Sequence, residues 1–224
     1  MQTERGRPHR DHDSSFRVPD RIPVFPLPNV VFFPRIFLPL HIFEPRYRAM
    51  IADAAVAGRC IGMALLKEGW EQDYYGNPPV FEMGCVGRLV SVQSLPDGRS
   101  NILLQGLSRY RIHEEYYDRS YRQATVVLHP GGAEGALESS IRSELLRLVD
   151  QYLKSRDDGD RSCGLFRFDV GDEILVNSLS AYLDFTPLEK QFLLESDSLL
   201  QQARRLSDLI QFKLYERDGA KGWG

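Results

Sequence analysis

Apolar residues in the first part of the chain occur in short runs that prolines repeatedly interrupt. Five prolines lie between residues 22 and 40. Each one lacks an amide proton and fixes its own φ angle, so a continuous helix cannot form there. The pattern instead predicts two extended segments, residues 22–27 and 36–42, joined by a proline-rich turn and packed against a hydrophobic core.

The spacing of apolar residues becomes helical immediately afterwards. The residues that recur three or four positions apart are Tyr47, Met50, Ile51 and Ala54. Pro45 suits the first turn of a helix, where its missing amide proton is not needed, and Gly58 is a typical stop. The sequence therefore predicts one early helix between these two residues.

Strand and turn signals dominate the next seventy or so residues. The predicted strands are residues 60–67, 86–95, 101–104, 107–112 and 121–128. Pro96-Asp97-Gly98 is a typical turn, and Gly106 indicates a bend or bulge. Short strands with tight turns and one early helix predict a small closed or half-closed β structure.

The last third of the chain is predicted to be helical. Apolar residues follow a helical period in four stretches, residues 137–152, 174–183, 188–195 and 198–216. Thr186, Pro187 and Glu189 form a typical helix start, with threonine as the N-cap and glutamate three positions later.

These elements predict an α+β protein with two parts and two flexible ends. We expect a β subdomain over residues 21–130 and a helical subdomain over residues 131–217. The polar residues 1–20 are expected to be a disordered tail, and residues 218–224 a flexible C-terminus.

Composition and charge narrow the classes of function. The formal net charge is -3, without the basic excess of a general nucleic-acid binder. Cys60, Cys85 and Cys163 are odd in number and widely spaced, which excludes a Cys-x-x-Cys zinc or redox motif. They are typical of reduced thiols, so we expect a cytoplasmic protein. We expect no membrane association, because no apolar run is long enough to span a bilayer.

Four sequence blocks occur in an order that resembles a known family. They are PVFPLPNVVFFP, LPLHIFEPRYRAMI, GCVGRLVSV and LPDGRSNILLQGLSRYRI. Together they resemble the Lon protease N-terminal, substrate-binding domain family in its stand-alone bacterial form, over about residues 20–217. The resemblance implies a PUA-like β pseudo-barrel followed by a C-terminal helical bundle. The hydrophobic pattern agrees with this architecture.

Catalytic motifs of the Lon family are not found in the sequence. A P-loop requires a Gly-Lys pair, and the chain has none. The Lon peptidase uses a serine and a lysine in a separate C-terminal domain. Lys154-Ser155 is the one adjacent Lys-Ser pair, and we expect it to be solvated at a helix end. We therefore expect a non-catalytic module that requires no cofactor and no metal.

The histidines do not indicate an active site. His41, His113 and His129 lie singly in or beside predicted strands, and none has a nearby nucleophile in the sequence. His9 and His12 lie in the polar tail, where a metal site is not expected because a solvated segment cannot preorganise ligands.

A loop rich in aromatic residues is the first candidate for binding polypeptide. Binding of an unfolded segment needs accessible apolar surface. Residues 68–81 supply Trp70, Tyr74, Tyr75 and Phe81 among glycines and prolines. Aromatic side chains on loops are typical binding hot spots. The alternative is that these rings only cover one end of the β structure.

Three other places are also candidates for binding. Phe32 and Phe33 would have one ring exposed if the segment alternates, and the alternative is that both are buried. The seam between the β and helical parts is a possible groove, lined by Leu165, Phe166 and Phe168. The polar corner of His41, Glu44 and Arg46 either recognises a ligand or secures the helix start by hydrogen bonds and ion pairing.

RNA binding is the alternative function. PUA-like folds include RNA-binding modules, and the β part contains Arg88, Arg99, Arg109, Arg111, Arg119 and Arg122. Interleaved acidic residues favour a solvated mixed-charge face instead. The sequence thus predicts a module that binds unfolded polypeptide or a partner protein, with a separate protease or ATPase as a possible associate.

Overall fold

The computed structural model describes residues 16–129, 136–155 and 169–221. Within these ranges the chain forms six strands and five α-helices, and the predicted α+β class is confirmed. The strands are β1 Arg21–Leu27, β2 Phe37–Ile42, β3 Cys60–Leu65, β4 Met83–Ser94, β5 Ser100–Tyr116 and β6 Gln123–His129. The helices are α1 Pro45–Val56, α2 Ser139–Lys154, α3 Asp172–Tyr182, α4 Pro187–Leu194 and α5 Leu199–Lys221. Outside the described residues lie His9, His12, Cys163, Leu165, Phe166 and Phe168.

Strand pairing closes the sheet on itself. The order is β2-β5-β4-β3-β1-β6, and β6 also pairs with β5. β1 and β3 are parallel, whereas the other pairs are antiparallel. Parallel neighbours need a crossover connection, which here contains β2 and α1. α1 packs on β1, where the ring centroids of Tyr47 and Phe25 are 4.2 Å apart.

β5 is a single strand of 17 residues, where the sequence predicted two shorter strands. Its register against β4 shifts between Gly106 and Ser108, which leaves Leu107 as an extra residue. The predicted irregularity at Gly106 is therefore confirmed. A Cβ at residue 106 would clash with the carbonyl oxygen of Phe33, because the chain before β2 passes directly over this point.

Packing contacts or regular structure extend into both terminal segments of the described structure. Phe16 and Val18, which we placed in the flexible tail, pack against a buried cluster that includes Tyr110. α5 continues to Lys221, beyond its predicted end near residue 216. Both segments lie against or continue regular structure.

Tyr110 fills part of the interior of the closed sheet and is fully buried. Its hydroxyl donates a hydrogen bond to the carbonyl oxygen of Met63 at 3.0 Å. Burial raises the pKa of this phenol well above its ordinary value. Gly84 on β4 leaves room for the ring, because a Cβ there would lie 2.5 Å from the Tyr110 hydroxyl.

Gly84→Ala should lower the free energy of unfolding by about 1–3 kcal/mol, because the Tyr110 ring would have to shift within a packed core. Urea unfolding followed by circular dichroism measures this loss. Gly171→Ser is the control, since Gly171 is the N-cap of α3, where serine is favoured, and its φ of -61° suits any residue. Its added Cβ meets nothing within 4 Å. The control should change stability by less than about 0.5 kcal/mol. Equal losses in both variants would contradict the packing argument.

The helices after the sheet pack around α5, which contacts α2, α3 and α4. α4 begins at the predicted capping box. The Glu189 amide donates to the Thr186 hydroxyl at 3.2 Å, and the Thr186 amide donates to the Glu189 carboxylate at 2.7 Å. Pro45 occupies the first turn of α1, also as predicted.

One hydrophobic cluster continues from the sheet into the helical part. Its members include Phe25, Met83, Leu104, Leu148, Leu179 and Leu206. Arg109 of β5 donates hydrogen bonds across this seam to the carbonyl oxygens of Leu194, at 3.0 Å, and Ser196. The side chain of Gln191 donates to the carbonyl oxygen of Met83 at 3.0 Å. The seam is therefore closed at these residues. The three residues expected to line a groove there, Leu165, Phe166 and Phe168, lie outside the described residues.

Arg109→Leu should lower the free energy of unfolding by about 2 kcal/mol, because two buried carbonyl groups lose a charged donor. Amide exchange should also accelerate at residues 191–196 next to the seam. Arg111→Leu is the matched control on the same strand, since Arg111 pairs with Glu82 at the exposed surface, where such a pair contributes little. If Arg111→Leu is as destabilising as Arg109→Leu, the seam contacts do not hold the two parts together.

Candidate functional site

A crevice opens where the loop between β3 and β4 faces the connection between β5 and β6. Its volume is about 220 Å³. Its polar and aromatic lining consists mainly of Tyr47, Tyr74, Tyr75, Tyr117, Tyr121, Arg46, Arg119 and Arg122. We name it the tyrosine crevice. It is smaller than the pockets of about 300–1,000 Å³ that hold drug-sized ligands, so it suits individual side chains better than a cofactor.

Part of the predicted polar corner and part of the aromatic loop come together in this crevice. Glu44, which precedes α1, accepts hydrogen bonds from Arg46 Nε at 3.0 Å and from the Tyr74 hydroxyl at 2.8 Å. Arg46 Nη1 donates to the Tyr74 carbonyl oxygen at 3.2 Å. The expected ion pair of Glu44 and Arg46 is present, and it also fixes Tyr74 at both its hydroxyl and its backbone. The loop is thereby attached to the start of the first helix.

Tyr75 is the most exposed ring of the crevice, with 88% of its surface accessible. It contacts the Tyr74 ring edge-on, with centroids 5.1 Å apart. The Arg46 guanidinium lies 5.9 Å from the Tyr75 ring and 4.6 Å from the Tyr47 ring. Tyr75 is therefore held beside a fixed cation while its own ring remains open to solvent.

The facing wall comes from the β5–β6 connection, which sequence reasoning did not single out as aromatic. Tyr117 is half-exposed there, and Arg122 lies 5.8 Å from its ring. Arg122 itself is buried and donates to the Pro78 carbonyl oxygen at 2.6 Å. It also pairs with Glu115 at 3.4 Å. Arg122 thus holds the two walls together. The density of tyrosines after residue 115 was the sequence signal that could have identified this wall.

Tyr121 and Arg119 complete this wall. The Tyr121 hydroxyl donates to Asp53 Oδ2 of α1 at 2.6 Å. Arg119 is 3.8 Å from the same carboxylate oxygen, too far for a hydrogen bond, and its side chain is 60% exposed. Asp53 is thus engaged mainly by the phenol, and the guanidinium of Arg119 extends into solvent.

Burial raises the pKa values of the crevice phenols. Desolvation raises the pKa of Tyr47 to about 12. Burial, followed by the hydrogen bond to Asp53, raises the pKa of Tyr121 to about 12. Burial and the bond to Glu44 also raise the pKa of Tyr74. These phenols therefore stay protonated throughout the neutral range, and those of Tyr74 and Tyr121 act as hydrogen-bond donors.

The Tyr121 pKa predicts a loss of stability at alkaline pH. The folded state holds the phenolic proton more tightly than the unfolded chain, whose ordinary value is 10.0. This stabilisation is complete below pH 10 and is lost as the pH rises through about 12. Between about pH 8 and pH 11, the free energy of unfolding in urea should fall less for Tyr121→Phe than for the wild type. Tyr215→Phe, at an exposed residue of α5, is the control and should lose as much free energy of unfolding over this pH range as the wild type. An equal loss in Tyr121→Phe would contradict the role given to Tyr121.

The remaining predicted binding residues lie outside the crevice lining. Trp70 is half-buried and packs on a small cluster that includes Leu66 and Val80. Phe81 is half-buried, with the Lys67 ammonium 5.8 Å from its ring. Of the two alternatives for Phe32 and Phe33, the structure agrees with burial of both, because both rings lie in the main core.

His41 separates from the other two residues of the polar corner. Its Nδ1 lies 2.7 Å from Asn101 Oδ1, and its ring stacks on Phe43 with centroids 6.2 Å apart. His41 is exposed on β2 and does not line the tyrosine crevice.

The arginines proposed for RNA binding are mostly engaged within the protein. Arg109 and Arg122 are buried. Arg99 pairs with Asp97 at 2.6 Å and Arg111 with Glu82 at 3.1 Å. Mutual pairing with carboxylates is typical of a mixed-charge surface, which gives RNA binding little support.

The described part of the chain has neither a typical metal-binding cluster nor a membrane-spanning helix. Within it, no three side chains of histidine, cysteine, aspartate or glutamate are placed so that they could hold a metal ion. None of the helices in the same ranges has the length and apolar character needed to cross a membrane.

Comparison with known proteins identifies the family. The family model of the ATP-dependent protease La (LON) substrate-binding domain matches residues 21–211, which is most of the chain. The chain belongs to the Lon substrate-binding domain family. The resemblance noted in the sequence blocks is thereby confirmed for the family as a whole.

Relatives of this Lon substrate-binding domain are full Lon proteases. The Lon protease of Cytophaga hutchinsonii is 24% identical over 197 residues, which are 86% of this chain and 24% of that protein. The Lon protease of Roseiflexus castenholzii is 26% identical over 205 residues, or 90% of this chain and 25% of that protein. The chain thus spans about a quarter of the length of these curated relatives.

Solved structures share the fold of this Lon domain. A Lon N-terminal domain protein from Xanthomonas campestris superposes with a TM-score of 0.62 at 21% identity, covering 85% of this chain and 97% of that one. The N-terminal domain of the Mycobacterium avium complex Lon protease gives a TM-score of 0.62 at 18% identity, covering 85% and 98%. Both comparisons establish the common fold.

Proposed function

We propose that this Lon substrate-binding domain binds unfolded segments of polypeptide in the tyrosine crevice. The observation that carries the proposal is Tyr75, whose ring is 88% exposed although the preceding residue, Tyr74, is fixed by Glu44 and Arg46. An exposed ring on a fixed support buries apolar surface on binding with little loss of side-chain entropy. Tyr117 supplies a second ring from the facing wall.

The proposed module does not catalyse a reaction. The sequence has no Gly-Lys pair and hence no P-loop, and the family model that matches it is that of a substrate-binding domain. Any cleavage or ATP hydrolysis that follows binding is assigned to a separate protease or ATPase. The crevice needs no cofactor for this role, because its side chains alone supply the apolar and polar contacts.

The proposal includes the architecture of the two parts of the chain and the cellular location of the protein. Closure of five strands by β6 supports a PUA-like pseudo-barrel over residues 21–130. Packing of the later helices around α5 supports a helical bundle over residues 131–217. A cytoplasmic location, expected from the cysteine content, completes the proposal.

Binding to reduced, carbamidomethylated α-lactalbumin, an unfolded model protein, tests the function. We expect the wild type to bind the fluorescently labelled protein, and Tyr75→Ala and Tyr117→Ala each to weaken binding about tenfold, or about 1.4 kcal/mol. Fluorescence anisotropy gives the dissociation constants.

Tyr215→Ala is the matched control, because Tyr215 is 80% exposed but lies on α5 and does not line the crevice. It should bind as the wild type does. Equal affinities of all four proteins would exclude the crevice as the binding site. Absence of binding by the wild type would exclude the function itself.

A further inference from the structure

The charges that line the tyrosine crevice have one sign. Arg46, Arg119 and Arg122 contribute to its lining, and no aspartate or glutamate does so among the described residues. The carboxylates that pair with two of these arginines, Glu44 and Glu115, lie outside the lining and are mostly buried. A ligand in the crevice therefore meets cationic groups and aromatic rings together.

The three arginines differ in how much of their charge remains available to a ligand. Arg122 is buried and bonded to Pro78 and Glu115. Arg46 is held by Glu44 and by the Tyr74 carbonyl group. Arg119 has a single charge partner among the described residues, Asp53 at 3.8 Å, and its side chain is 60% exposed. Arg119 is thus the cation of the crevice with the most freedom to pair with a ligand.

Asp53 competes only weakly with a ligand carboxylate for the Arg119 guanidinium. Its Oδ2 atom already accepts the Tyr121 hydroxyl at 2.6 Å, a much shorter contact than the 3.8 Å to the guanidinium. A ligand carboxylate would reach the Arg119 guanidinium in a charge-assisted pair without first breaking a hydrogen bond. The exposed Tyr75 and Tyr117 rings lie in the same crevice to receive an apolar or aromatic neighbour of that carboxylate.

From this combination we propose that the crevice selects polypeptide segments in which an acidic residue adjoins an aromatic residue. The acidic group pairs with Arg119, and the aromatic group packs on Tyr75 and Tyr117. This inference rests on the proposed function, to which it adds a substrate class. Lysine-rich segments are rejected, because their charge would face arginines with no acidic side chain in the lining to pair with.

Three peptides of about ten residues test the selection. Each contains one tryptophan in a Gly-Ser background, flanked on both sides by Asp, by Asn or by Lys. At about 50 mM NaCl the Asp peptide should bind about tenfold more tightly than the Asn peptide, and the Lys peptide should bind most weakly. The advantage of Asp over Asn should shrink as the salt concentration is raised to about 300 mM, because salt screens a partly exposed pair.

The Arg119→Gln variant tests whether Arg119 causes the preference for the Asp peptide. It should reduce the advantage of the Asp peptide over the Asn peptide from about tenfold to about twofold. Arg147→Gln is the matched control, since Arg147 is an exposed arginine of α2 that pairs with Glu144 outside the crevice. It should retain the full preference, and circular dichroism checks that both variants are folded.

The other outcomes are distinct. Equal affinities for the three peptides, still weakened by Tyr75→Ala, would overturn the charge selection and keep the proposed function. Loss of all peptide binding by the wild type would overturn both. An unchanged preference in Arg119→Gln would overturn the role of that residue. Tighter binding of a decauridine oligoribonucleotide than of the Asp peptide, lost in Arg119→Gln, would replace the acidic peptide by single-stranded RNA.

Discussion

The pairing of β6 with both β1 and β5 is the constraint on which the rest of the structure depends. Without it the five-stranded sheet would have two open edges, and the ring of Tyr110 would lose its enclosed position. Closure also brings the β5–β6 connection next to the loop that follows β3. Tyr75 and Tyr117, which are distant in sequence, therefore face one crevice.

The walls of the crevice are ordered by interactions that need no ligand. Glu44 and Arg46 hold Tyr74, while Arg122 connects Pro78 with the opposite wall. Immobilising a flexible side chain on binding costs about 0.5–1.5 kcal/mol, and here that ordering has already occurred during folding. The protein can therefore leave Tyr75 exposed without leaving its loop unsupported.

Local signals in the sequence predicted most elements but not how the walls meet. Thr186 and Glu189 identified a helix start because a capping box depends on residues three positions apart. The contact of Glu44 with Tyr74 depends instead on pairing between remote strands, which no local period encodes. Alternation could not decide between the two alternatives for Phe32 and Phe33, because it applies to strands. The chain between β1 and β2 is irregular and passes over Gly106. Tyr117 was overlooked for a similar reason, since only the closed sheet shows what it faces.

The long separation in sequence between β1 and β6 affects how the protein folds during its synthesis. Residues 21–23 pair with residues 123–125. About a hundred further residues must therefore be synthesised before β1 can pair with β6. At ribosomal speeds of about 5–20 residues per second, this interval lasts on the order of 5–20 seconds. A nascent chain that stops before β6 has no closed sheet to hold the residues of the second wall opposite the first. Both walls of the tyrosine crevice are therefore in place only after β6 has been synthesised and has paired with β1.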